Sequence, residues 1–258
     1  MDIPKELPLI PLKNVVLFPH VAIPLLVQRP KSMGSLAEAV GKEQLAVFVA
    51  QKNIYDDVEP KDLFTVGTVG KIFEVHRLPD GSSKIDVEGI ARVQIKNFSQ
   101  FEPFFTVEVE ALPQTIRHDV ETEALMRATV EQFKQLIEVR NMPAILPDLM
   151  NILNQIKDPY QIVYLITINL NLDLKEQQEV LEIGDAAEAL KKMNFYITRE
   201  LEIIEAEKRV VKETRKSLGK MQKEVFLREQ MRSIEKELGM DSEKSDIDTI
   251  RTKIKEAQ

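Results

Sequence analysis

At Pro113 the hydrophobic pattern of this 258-residue chain changes period, which limits it to a fold with β structure first and helices after. Before that point the apolar residues alternate or run in short stretches. Stretches 7–12, 15–18 and 22–27 are interrupted by Pro8, Pro11, Pro19 and Pro24. Proline lacks an N–H and is confined to edges, strand starts and bulges, so these read as kinked or edge strands. Residues 32–40 read as a short helix with Met33, Leu36, Ala37 and Val40 on one face, and 45–50 as a strand covered on both sides. The clearest signal is a long hairpin: 66–78 and 84–95 alternate and are joined by Pro79-Asp80-Gly81-Ser82, a tight-turn composition. With one more strand over 104–112, residues 1–112 make a compact, barrel-like β domain.

After Pro113 the spacing is helical. Leu125, Ala128, Phe133, Leu136 and Ile137 share one face, and Asn141-Met142-Pro143 breaks that helix, because the residue before proline is pushed out of the α region. Residues 145–156 form the next helix. Asp158-Pro159 places an acceptor before a proline at the first helical position, and Asp173 with Glu176 and Asp185 with Glu188 have capping-box spacing. Gly184 fits a left-handed helix end between the last two. Residues 113–184 thus read as a helical bundle.

From 185 to about 239 there is no proline and no strong break except Gly219. A continuous helix of that span is on the order of 80 Å long. Leu190, Ile197, Ile204, Val211, Leu218 and Val225 recur every seven residues, one seam of a heptad. The companion seam is poor, since Lys208 and Arg215 fall beside Leu201 where a coiled coil wants leucine, and the seam then shifts to Leu227, Met231, Ile234 and Leu238. Such a helix packs on different partners along its length. Residues 185–240 form this helix, and 241–258 a polar linker and the start of another helix that ends without a stop signal, as if the chain continued.

Charge and composition exclude several functions. There is no cysteine, which removes disulfides, thiolate metal sites and cysteine nucleophiles and fits a reducing compartment. The N-terminus is acidic and proline-bearing where a signal peptide needs basic residues before an apolar run, and nothing approaches the apolar length of a membrane helix. The expectation is a cytoplasmic protein without a membrane partner. Lys and Arg number 12 against 15 Asp and Glu over 1–112, 6 against 13 over 113–189, and 13 against 9 over 190–240. The long helix is the net-basic part, ordinarily a solvated helix face.

No constellation here carries catalysis. Gly67-Thr68-Val69-Gly70-Lys71-Ile72 is too short for a phosphate loop, has isoleucine where a hydroxyl should be, and alternates as a strand. His20, His76 and His118 are scattered, so no metal ligands are assigned. No serine has a nucleophile setting, and Asp56-Asp57 lies in a polar loop. Catalytic, cofactor-binding and metal residues are all expected to be none.

Residues 7–27, LPLIPLKNVVLFPHVAIPLLV, resemble the opening of bacterial ATP-dependent Lon proteases of the LonA type. So do 63–95, LFTVGTVGKIFEVHRLPDGSSKIDVEGIARVQI, and 173–182, DLKEQQEVLE, while FLREQMRSIEKELG at 226–239 resembles the far end of the same N-terminal region. The resemblance implies an α+β fold: a PUA-like β-barrel domain, a helical bundle and a long C-terminal helix leading into an AAA+ ATPase and a Ser–Lys peptidase. It also implies ATP and Mg for the full-length protein, misfolded or degron-bearing clients, and assembly as a homo-hexamer.

The residues allow that role. The proline-punctuated segment holding Phe18, Pro19, Val21, Ile23 and Pro24 suits an edge that accepts extended peptide, although core packing is the commoner fate of Val and Ile there. Met221, Phe226, Leu227 and Met231 are adaptable or bulky apolar groups among charges, either a client surface or packing against a neighbouring helix. Ile197, Ile204, Val211, Leu218 and Val225 are the assembly candidates. Two other readings stand beside this one: a stand-alone adaptor with the same fold, and a nucleic-acid-binding protein. Against DNA or RNA, residues 1–112 are net-acidic and show no basic–aromatic interleaving.

Overall fold

The computed structural model describes residues 3–53, 55, 58–140 and 146–237. The expected break at 141–143, the Asp56-Asp57 pair and the expected tail 241–258 lie outside them. The strands are β1 (Glu6–Leu12), β2 (Ala22–Val27), β3 (Leu45–Ala50), β4 (Val66–Arg77), β5 (Ser83–Gln100) and β6 (Thr106–Ala111). The helices are α1 (Pro30–Gly41), α2 (Val120–Val139), α3 (Leu146–Gln155), α4 (Pro159–Asn169), α5 (Leu174–Glu182) and α6 (Ala186–Glu237). This is the expected α+β order. The chain divides into two compact units, Met1–Leu201 and Glu202–Gln258, with the boundary inside α6.

In the first unit the strand order is β2-β5-β4-β3-β1-β6, and β5 pairs with β6 as well, so the sheet closes into a barrel. The 18 residues of β5 make closure possible, since its beginning pairs with β2 while its later part pairs with β6. β1 and β3 are parallel, which requires a crossover, and α1 supplies it. All six residues of β3 are buried. Leu45, Val47 and Val49 join one core cluster with Leu9, Val69 and Val107, whereas Ala46 and Phe48 join another with Leu36, Ile72 and Val87. A strand with a core on each face has no reason to alternate polar residues, hence its unbroken apolar run.

The hairpin forms as the turn composition requires. Gly81 takes φ 85°, the Ser82 N–H donates to Asp80 Oδ1 at 3.0 Å, and the Leu78 N–H donates to the Ser82 carbonyl at 2.9 Å. Residues 15–18 are not the strand their apolar run suggests. Here the chain crosses β5 at Gly89, where the His20 N–H donates to the Gly89 carbonyl at 2.8 Å and the Gly89 N–H donates to the Val21 carbonyl at 3.0 Å. A Cβ at Gly89 would lie 2.1 Å from the Phe18 carbonyl oxygen, so only glycine permits the crossing.

The helices begin where their caps stand. Asp158 accepts from the Tyr160 N–H at 2.8 Å, and Asp173 and Glu176 exchange both capping-box bonds at 2.8 and 3.0 Å. Asp185 accepts from the Ala187 N–H at 2.9 Å. The end of α5 departs from expectation: Ile183 follows it in extended conformation, and Gly184 does not adopt the left-handed form. That cap is replaced by Arg92 of β5. Its Nη1 donates to the Leu181 and Ile183 carbonyls at 2.7 and 2.6 Å, and its Nη2 donates to the Pro113 carbonyl at 2.9 Å.

Arg92 is 2% exposed, and Gln178 of α5 donates to the Val66 carbonyl at 3.0 Å. Strands and helices therefore share one body. The expected division at 112/113 separates the two kinds of structure, and the compact unit continues through Leu201. It includes the start of α6, where Ala189, Leu190, Met193 and Tyr196 are buried and Arg199 forms an ion pair with Glu176. The helix runs without interruption through Gly219.

Candidate functional site

β2 stands at one end of the strand order, and among the described residues β5 is its only strand partner. Pro24 lies within it opposite Asp86, as suits an edge, because proline has no N–H to give a ladder. Beside β2 is a cleft of about 340 Å³ between the end of β1 and the strand itself, with walls that include Ile10, Val15, Pro24, Leu26 and Arg29. Leu26 is 56% exposed at its margin. Edge backbone next to an apolar trough is an arrangement that takes an extended peptide, with main-chain hydrogen bonds along the strand and side chains in the trough.

Only part of the proline-punctuated segment reaches this surface. Phe18 is fully buried, its ring stacked on Tyr164 at 5.0 Å between centroids, and Pro19 and Val21 are buried beside it. These three are interior residues and present no contact surface; the crossing at Gly89 draws them inward. Ile23 is half-buried against the core, and Pro24 is exposed. Burial also raises the Tyr164 hydroxyl well above its ordinary pKa, and that hydroxyl accepts from Gln114 Nε2 at 2.8 Å.

The helix candidates divide similarly. Ile197 is fully buried inside the first unit, so it packs there and offers nothing to assembly. In the second unit Ile204 is half-buried, whereas Val211, Leu218 and Val225 are exposed. Met221, Phe226, Leu227 and Met231 are exposed as well, between 50% and 66%. On α6 the seven-residue row from Ile204 to Val225 lies along one side, and Leu227 and Met231 fall on the other.

Three features were not foreseen. A larger cleft of about 540 Å³ lies among α1, β1, β5 and β6, walled by Glu6, Glu38, Lys42, Glu43 and Phe104. Within it Lys42 lies 2.5 Å from Glu38, whose carboxylate raises the ammonium pKa. Another of about 430 Å³ runs between α2, α3 and α4, with Met126, Val130, Leu153 and Ile162 in its walls. The third concerns His76, which has carboxylate neighbours after all: its ring lies 3.0 Å from Glu74, and with Asp86 across the strand pair their ligand atoms lie within 4.8 Å of one another. The signal for that cluster was the Glu-Val-His spacing plus the hairpin register. Exposed groups of this kind are common without an ion, and no metal role is assigned to it. Among the described residues no helix is long and apolar enough to cross a membrane.

Comparison with known proteins places these features in context. The family described as "ATP-dependent protease La (LON) substrate-binding domain" matches residues 6–199. The Lon protease of Dictyoglomus thermophilum is 36% identical over 258 residues, 100% of this chain and 32% of that protein. That of Escherichia coli K12 is 36% identical, covering 98% of this chain and 32% of the relative. The chain thus spans about a third of the length of the relatives it matches. Among solved structures, the N-terminal domain of a Mycobacterium avium complex Lon protease superposes with a TM-score of 0.63 at 18% identity. That superposition covers 75% of this chain and 98% of the other.

Proposed function

Since the chain belongs to the family of Lon substrate-binding domains, we propose that it is the client-capturing region of an ATP-dependent Ser–Lys protease of the cytoplasm. In this reading it binds unfolded or degron-bearing polypeptides and contributes no catalytic group. ATP and Mg serve other parts of the full-length protein, a hexamer. The observation that carries the reading is the number of large apolar side chains left in solvent, from Ile203 to Ile234 on α6, together with Leu26 at the β2 edge. Exposed apolar groups rimmed by charge are the surface a recognition module needs. Captured segments lie extended along β2 with apolar side chains in the adjoining cleft, and further segments engage the helix. One site gives a dissociation constant on the order of micromolar or weaker, since a small interface leaves little surplus after ordering costs. Several copies in a ring strengthen it through effective concentration.

The row Ile204, Val211, Leu218 and Val225 also supports assembly. With Lys208 and Arg215 in the companion seam, pairing of isolated chains is weak and concentration-dependent. Ile204→Ala with Val211→Ala reduces it in sedimentation.

The deciding experiment is NMR titration of this chain with a destabilised client and with its folded counterpart, without nucleotide. The expected result is perturbation at residues 22–29 and 203–234 by the unfolded form alone. Equal response to both forms, or perturbation elsewhere only, overturns the proposal.

A further inference from the structure

Charge around the exposed apolar residues narrows the class of client. The chain as a whole carries −7. From Lys208 to Arg228, however, α6 holds eight lysines and arginines against two glutamates, Glu213 and Glu224, a net +6. All of these residues are exposed, and Val210, Val211, Leu218, Met221, Val225 and Phe226 stand among them. Such a surface attracts carboxylates while offering apolar contact between them.

We infer that this stretch of α6 selects client segments in which apolar residues are flanked by aspartate and glutamate. The inference rests on the client-binding reading above and gives it a substrate class. The apolar side chains favour a polypeptide over a nucleic acid, whose phosphates engage lysine and arginine without them. The placement of those side chains favours a polypeptide over a bilayer. An interfacial helix buries one continuous apolar face. Here Val211, Leu218 and Val225 drift by only about 20° per heptad, whereas Leu227, two residues beyond Val225, is turned about 200° away. A flexible chain can reach both lines of apolar residues, and a flat surface cannot. The same charge opposes a parallel, in-register pair of two copies, which would set Lys208 and Arg215 against themselves.

The test uses the full chain and two labelled, unstructured peptides with the same apolar core, one flanked by Asp and Glu, the other by Lys and Arg. Fluorescence anisotropy at low salt is expected to show the acidic peptide bound about tenfold tighter or better, with the advantage shrinking at high salt. Lys212→Glu, Lys216→Glu and Lys220→Glu combined should remove or reverse the preference while circular dichroism shows the helix intact. Equal affinities in the unaltered chain overturn the inference and leave client binding standing. Binding of neither peptide sinks the client-binding reading as well. If random-sequence DNA or an anionic vesicle binds as tightly as the acidic peptide and is lost in the same variant, the surface is a general polyanion site and the inference fails.

Discussion

Leu190 and Leu218 stand four heptads apart on one helix and meet opposite fates: the first is fully buried, the second 54% exposed. The sequence treats them alike, as apolar positions in one seven-residue series. What separates them is company. The start of α6 carries close-packed Ala189, Leu190 and Met193, and Arg199 and Lys192 reach Glu176 and Glu179 of α5. Beyond Leu201 the helix lies in the second unit, where every described side chain from Glu207 to Ile234 is exposed. Periodicity states which residues share a face, and only tertiary neighbours decide whether that face is core or contact surface.

The largest effect that can test this contrast is at Ile197. Replacement by Ala removes a fully buried side chain from the first unit and should cost about 3 kcal/mol in urea denaturation. A loss under about 1 kcal/mol would mean that this part of α6 is as weakly held as the rest. A smaller effect belongs to Arg199→Leu, at about 1 kcal/mol near neutrality, because the pair with Glu176 is partly exposed and screened. The hydrogen bond from Arg199 holds the Glu176 carboxyl below its ordinary value of 4.5. The stabilisation is therefore present above that value and is lost as pH falls through the depressed one. Denaturation curves of the variant and the unaltered chain should converge in acid; a gap that persists there would point to packing by the arginine stem. The smallest effect is expected at Leu218→Ala, within about 0.5 kcal/mol. A cost like that of Ile197 would show the exposed row to be covered in solution.

Much of the fold was legible because its determinants are local. The Pro79–Ser82 turn, the double-faced run of β3 and the Asp173–Glu176 box each depend on residues within a few positions. The candidate contact surface was legible only in part. Phe18 and Val21 are edge candidates in the sequence, with core packing the commoner fate of valine there; Phe18 is stacked on Tyr164, 146 positions later, and the crossing is fixed by the absence of a Cβ at Gly89. The cleft beside β2 joins residues 10–15 to residues 24–32, and the larger one joins three separate stretches, 4–8, 38–45 and 99–106. No window on the sequence sees such a juxtaposition. Gly184 failed as a cap for the same reason, its work being done by a strand residue some ninety positions earlier.

That replacement also bears on the birth of the molecule. Arg92 emerges from the ribosome with the barrel strands, whereas two of its carbonyl acceptors, at Leu181 and Ile183, are made 89 and 91 residues later. At synthesis rates of roughly 5–20 residues per second the guanidinium waits on the order of ten seconds for them. During that interval it remains hydrated, because enclosing an unmatched cation is too costly. The face of β5 that receives α5 therefore stays open to water during synthesis, and the burial of Arg92 waits until residue 183 has left the exit tunnel.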